Sequence, residues 1–208
     1  MNPTPITLLL VDDHAVMRMG LSSLLGTQPE LRIVGEAGDG ETAVQSALKL
    51  RPDVIVMDLM MPGLSGIEAT RRLCSRWTEA KVLILTTFGT SDAIAHALDA
   101  GALGAVLKSA QLPVLLEAIR TVAEGRRFVS REIQQILIDD PPLPDLSERQ
   151  RNVLDCVIRG LSNADIAKML GISLPRVKEH LNIIFAKLGA ANRAEAVAIA
   201  VSKHLLKI

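Results

Sequence analysis

Val54-Ile55-Val56-Met57-Asp58-Leu59-Met60-Met61-Pro62-Gly63-Leu64-Ser65-Gly66 is the stretch on which the fold turns. Its first four residues are apolar, three of them β-branched, and the run stops at an aspartate followed by Pro-Gly turn chemistry. Such a run is a strand buried on both faces, as in a parallel sheet covered by helices. Working outward, similar runs stand at Ile6–Val11, Leu31–Val34, Val82–Leu85 and Ala105–Leu107, separated by stretches of helical length. Five strands alternating with five helices predict an α/β doubly wound, five-stranded parallel sheet over residues 1–125.

In open parallel sheets, ligands bind outside the carboxyl ends of the strands. The residues at those ends are Asp12-Asp13 after the first strand, Asp58 after the third, Thr86-Thr87 after the fourth and Lys108 after the fifth. Clustered carboxylates favour a hard divalent cation, and Mg²⁺ takes a few oxygen ligands plus water. An ionised aspartate is also a nucleophile able to accept a phosphoryl group. Lysine pairs with a phosphate oxygen, and a threonine hydroxyl donates to another. The rim is suited to an aspartyl phosphate held with Mg²⁺.

The rhythm changes after Arg126. A helix over 131–138 leads into Asp139-Asp140-Pro141-Pro142-Leu143-Pro144-Asp145, where three prolines fix φ and remove donors. Residues 126–145 therefore read as a helix and an extended linker, and 146–208 as a separate, all-helical domain. Ser147, Ser162 and Asn192 each stand three residues before a Gln, Asp or Glu, the spacing that caps a helix start. Pro175 follows Ser173 in the first turn of another helix. Charge divides along the same line. Residues 1–125 hold 10 Lys/Arg against 14 Asp/Glu, a balance of −4, and residues 126–208 hold 13 against 9, a balance of +4. An acidic front and a basic back point to different partners, a metal or phosphate for one and nucleic acid for the other.

Helices over about 163–170 and 174–187, joined by Gly171-Ile172-Ser173, predict a helix-turn-helix. Val177, Leu181, Ile184 and Leu188 recur at helical spacing and face the core. The opposite face carries Glu179 and Asn182, flanked by Arg176 and Lys178. Lys and Arg neutralise phosphates. Glu179 can accept from cytosine and Asn182 can pair with adenine. In the last helix Val197, Val201 and Leu205 are expected on the core face. Ile199, Ser202 and Leu206 are expected on a dimer interface, which would match a two-fold operator.

The pieces LLLVDDH (8–14), VIVMDLMMPGLSG (54–66), LTT (85–87) and GALGAVLKSA (101–110) together resemble the receiver domain of two-component response regulators. Nearly all of 146–206, with Leu154, Gly160, Ile166, Val177, Lys178 and Leu188 in place, resembles the LuxR-type helix-turn-helix of the NarL/FixJ class. The first resemblance implies a flavodoxin-like fold in which Asp58 is phosphorylated by a sensor histidine kinase. It also implies Mg²⁺ bound by Asp13, Asp58 and the backbone carbonyl of Met60, with Asp12 acting through metal-bound water. Thr86 would be the switch hydroxyl and Lys108 a phosphate contact, while Pro62 and Gly66 match the loop after the phosphorylated residue. The second implies double-stranded promoter DNA as a partner, Lys178 and Lys187 among the contacts, and a homodimer in the active form. Such a protein is a cytoplasmic transcriptional regulator, not an enzyme beyond phosphoryl transfer to its own aspartate.

Two departures stand out. Ala105 occupies the place where the family usually has an aromatic switch residue, and Arg176 the place of a usual threonine. Ala105 keeps open the reading of a DNA-binding regulator whose receiver is not switched by phosphate. A third reading, an aspartyl-phosphate hydrolase of the haloacid dehalogenase type, requires an acid two residues after the nucleophile, where Met60 stands. No run of residues has the length and apolarity of a membrane span. The two cysteines, Cys74 and Cys156, match no metal or disulfide pattern.

Overall fold

A computed structural model describes residues 4–87, 90–144 and 146–203. The chain divides into two compact units, Met1–Pro141 and Pro142–Ile208. In the first, β1 (Ile6–Val11), α1 (Ala15–Gly26), β2 (Leu31–Ala37), α2 (Gly40–Leu50), β3 (Val54–Met57), α3 (Gly66–Arg76), β4 (Val82–Thr86), α4 (Ser91–Asp99), β5 (Gly104–Leu107) and α5 (Leu112–Ala123) alternate without interruption. They are followed by β6 (Phe128–Val129) and α6 (Arg131–Asp139). The sheet is parallel with strand order β2-β1-β3-β4-β5-β6.

Among the described residues the sheet has six strands, where five were expected. The sixth is only two residues long, too short to leave a pattern in the sequence. It pairs Phe128 and Val129 with Gly104 and Ala105, and it brings α6 onto the same unit, where Ile133 is fully buried.

Alternation along the strands splits the core in two. Leu9, Val11, Ile55, Met57, Ile84 and Ala105 point to one face, against residues of α2, α3, α4 and α6. Leu8, Leu10, Val54, Val56, Leu83, Leu85 and Val106 point to the other, against α1 and α5. Helices on both faces explain why the strands read as unbroken apolar runs. Because β1 lies between β2 and β3, the chain's direction of winding reverses there, and a crevice opens at the carboxyl ends of β1 and β3.

The second unit holds α7 (Glu148–Ile158), α8 (Asn163–Leu170), α9 (Leu174–Leu188) and α10 (Arg193–Ser202) around their own core. Ser147 with Gln150 and Ser162 with Asp165 form reciprocal capping boxes, and Asn192 accepts from the Glu195 N–H. Ser173 occupies the N-cap of α9, but its side chain makes no capping bond. Gly171 ends α8 at φ 62°, the left-handed conformation that turns the chain into α9 with no Cβ penalty.

The face of α10 differs from expectation. Ala196 and Ala200 are buried, Val197 and Ile199 are half-buried against the core, and Val201 is 50% exposed. Small residues let α10 approach its neighbours closely and so take the core positions in place of the larger Val201. Ile199, expected outward, therefore supports the core, while Ser202 is exposed and donates to the Ile199 carbonyl. Leu205 and Leu206 lie outside the described residues.

Candidate functional site

The acid rim is assembled by backbone ladders that run one residue past the strands. The Asp58 N–H donates to the Val11 carbonyl at 2.9 Å, setting Asp58 beside Asp12. The Lys108 N–H donates to the Thr86 carbonyl at 2.7 Å, which does the same for the ends of β4 and β5. Side chains at these ends are held by the sheet, a more rigid support than a loop.

Lys108 Nζ lies 2.6 Å from Asp12 Oδ2 and 2.8 Å from Asp58 Oδ2. Asp12, Asp58 and Thr86 are at most 3% exposed, and the Lys108 side chain is 4% exposed. Burial pushes the Asp58 carboxyl above its ordinary value, and the hydrogen bond and charge of Lys108 only partly oppose it. Burial also acts to lower the Lys108 ammonium, but its hydrogen bonds and charge contacts with Asp12 and Asp58 prevail and hold it above its ordinary value. The difference in outcome has a simple cause. One ammonium serves two carboxylates, so the lysine gains from two anions while each anion has a share of one cation. The rim carries a surplus of negative charge.

Thr86 Oγ1 is buried and finds no hydrogen-bond partner among the described residues. A buried hydroxyl without a partner is costly in an apolar setting. It stands at the end of β4 as a donor in search of an acceptor.

Gly66 fixes the loop after Asp58. A Cβ there would lie 2.0 Å from the Asp58 carbonyl oxygen, so α3 can start against the Asp58 backbone only with glycine at this place. Its N–H donates to the Leu59 carbonyl at 3.0 Å. Leu59 and Met61 are buried, whereas Met60 is 66% exposed and is not a packing residue. The Met60 N–H lies 3.5 Å from Asp58 Oδ1.

Asp12, Asp13, His14 and Asp58 each offer one ligand atom, and these atoms all lie within 4.8 Å of one another. Three carboxylates with surplus charge fit a hard divalent cation such as Mg²⁺. His14 holds the N-cap position of α1, but without a side-chain capping bond. Its Nδ1 lies 2.9 Å from Asp13 Oδ1, and its N–H donates to Asp12 Oδ1 at 2.9 Å. The signal in the sequence was its place directly after the acid pair.

On α9, Val177, Leu181, Ile184 and Leu188 are buried as expected. Arg176, Lys178, Glu179 and Asn182 are exposed together on the outer side. Lys187 is half-buried and donates to Gln150 Oε1 at 3.1 Å, which also accepts the Ser147 N–H. It ties α9 to the start of α7. Other basic residues are likewise taken up by the fold. Arg193 donates to the Leu161 and Val157 carbonyls, and Arg149 to the Leu170 carbonyl. These bonds to carbonyls at and just beyond helix C-termini were missed in the sequence, where a basic side chain gives no sign of whether it turns inward or outward. The positive balance of this unit therefore overstates the charge available to a ligand.

Comparison with known proteins agrees with this division. Residues 8–120 match the response regulator receiver domain family, and residues 144–200 match the luxR family of bacterial regulatory proteins. The transcriptional regulatory protein LiaR of Bacillus subtilis is 34% identical over 209 residues, covering 97% of this chain and 99% of that protein. The oxygen regulatory protein NreC of Staphylococcus aureus is 36% identical over 214 residues, with coverage of 96% and 99%. The crystal structure of the response regulator ChrA of a heme-sensing two-component system aligns with a TM-score of 0.59 at 38% identity, covering 97% of this chain and 99% of that one.

Proposed function

Because the chain belongs to the response regulators that join a receiver domain to a LuxR-type DNA-binding domain, we propose that it is a transcriptional regulator switched at Asp58. An oxygen of the Asp58 carboxylate attacks the phosphorus of a phosphohistidine on a sensor histidine kinase. The new bond joins Asp58 to phosphorus, the phosphorus–nitrogen bond breaks, and the kinase histidine leaves. Lys108, already within 2.8 Å of Asp58, pairs with the phosphoryl oxygens. Thr86 supplies its unbonded hydroxyl to another of them. Asp12, Asp13, Asp58 and the Met60 carbonyl would hold Mg²⁺, which supplies neutralising charge where the phosphoryl group arrives.

The observation that carries this reading is one buried ammonium shared by two buried carboxylates beside a hydroxyl that has no partner among the described residues. Asp58→Asn tests it. Incubated with acetyl phosphate and Mg²⁺, the native chain should gain one acid-labile phosphoryl group by intact-mass measurement, and the variant none. Labelling that persists in the variant overturns the assignment.

The second unit binds duplex promoter DNA in this reading, through Arg176, Lys178, Glu179 and Asn182 on α9, with Lys187 contributing chiefly by fixing α9 on α7. The active form is a homodimer joined through the outer face of α10, where Ser202 and Val201 are exposed. The protein acts in the cytoplasm, and no helix among the described residues is long and apolar enough to cross a membrane.

One residue favours a second reading, an unswitched regulator. Ala105, in the place of the aromatic, is fully buried, and its carbonyl accepts the Ser130 N–H just before α6. DNA affinity measured with and without beryllofluoride separates the two: a gain with the phosphate mimic supports switching, and equal affinity supports the second reading.

A further inference from the structure

Arg176 and Glu179 form a pair that the stability of α9 does not explain. Arg176 Nη1 lies 3.1 Å from Glu179 Oε2, with both side chains more than half exposed. An exposed ion pair of this kind contributes little to folding. A cation in the first turn of a helix opposes the macrodipole, and the first turn of α9 holds no acid to balance it. The basic-before-acidic order is also the poorer one along a helix. Arg176 is therefore placed against the preference of its own helix.

What the pair does supply is direction. With Val177, Leu181, Ile184 and Leu188 on the core, a rotation of about 100° per residue puts Glu179 near the middle of the outward face and Arg176 about 70° to one side. A flanking arginine left to itself lies where phosphates run. Bonded to Glu179, its guanidinium is drawn toward the middle of the face, where base edges would lie. Glu179 engages Nη1, and among the described residues nothing else holds the guanidinium fork.

The geometry points to Arg176 as the residue that reads a guanine in the major groove, with Glu179 as the positioning residue that aims it. Guanine alone presents two neighbouring acceptors there, O6 and N7, which match two donors of one guanidinium. Glu179 then acts through Arg176 instead of accepting from a cytosine, and the phosphate contact falls to Lys178. The inference rests on the reading of α9 as the DNA-contacting helix.

Selection from a randomised duplex library by the full chain, with Mg²⁺ and beryllofluoride, tests it. The native chain should enrich a G·C pair at a fixed position of the bound site. Arg176→Ala should flatten that position alone, lowering discrimination for guanine about fivefold or more, with binding to an unrelated duplex nearly unchanged. Arg176→Lys keeps the charge but not the fork, and should lose most of the same preference. Glu179→Gln should weaken the preference at that position and at no other. Retained binding to the unrelated duplex shows that each variant is folded. If Arg176→Ala weakens all sequences alike and lowers the salt slope by about 0.9, the residue is a phosphate contact and the proposal fails. It fails too if Glu179→Gln alters a cytosine position that Arg176→Ala leaves intact. If the native chain retains no duplex even at low salt, the DNA-contacting role of α9 is itself overturned.

Discussion

A buried ion triad and an exposed ion pair divide this molecule by what surrounds them. Lys108 meets Asp58 at 2.8 Å and Asp12 at 2.6 Å with every partner nearly sealed from water. Arg176 meets Glu179 at 3.1 Å with both in water. In the first, neither charge can leave without stranding the other, so the pair governs whether its unit tolerates the site at all. In the second, water replaces either partner at little cost, so the pair is free to be remade with a ligand. A site that changes covalent state keeps its charges confined, whereas a surface that reads a polymer leaves them exposed and only sets their aim.

The largest expected effect tests the confined pair. Lys108→Met leaves two carboxylates buried side by side without their cation and should destabilise the chain by about 3 kcal/mol in metal-free buffer. Urea unfolding with and without Mg²⁺ checks this, and added Mg²⁺ should recover part of the loss. An unchanged unfolding free energy would break the contrast. The pair also has a pH signature. Because the Lys108 ammonium is held above its ordinary value, its contribution is fully present below the unfolded lysine pKa and is lost as pH rises through the folded one. Native protein should therefore weaken in that alkaline window more steeply than Lys108→Met.

A smaller effect is expected at Lys178. Lys178→Ala should weaken binding to every duplex alike and lower the salt slope of log K by about 0.9, as titrations at several salt concentrations would show. Sequence-dependent weakening would move Lys178 from positioning to readout. The smallest effect sharpens the comparison from the exposed side. Arg176→Thr should change folding stability by less than about 0.5 kcal/mol, measured by urea unfolding. A loss as large as that of Lys108→Met would mean the two pairs are not different in kind.

Legibility in the sequence follows the same contrast. Asp12, Asp58, Thr86 and Lys108 could be placed because unbroken apolar strands end abruptly, and the residue after each end is fixed by the ladder. The core side of α9 was legible because four large apolar residues recur at intervals of four, three and four, the period of one helix face. The core side of α10 was not, because Ala196 and Ala200 carry little hydrophobic signal while Val201, which is exposed, carries more. The sixth strand left no trace because two residues cannot show a period. Lys187 and Arg193 were unreadable for another reason: both donate to acceptors on α7, Gln150 and the Val157 carbonyl, and nothing adjacent in sequence announces them.

The margins of the sheet have a consequence of their own. At one margin β6 offers only two residues. At the other, β2 is longer but irregular: Leu8 pairs with Ile33 and Leu9 with Gly35, leaving Val34 unmatched, and Arg32 and Glu36 project into water. Neither border offers a long, flat, uncharged row of amides on which another chain could template itself. A domain whose interior strands are this apolar is thus guarded against fibrous self-association at the places where it would begin.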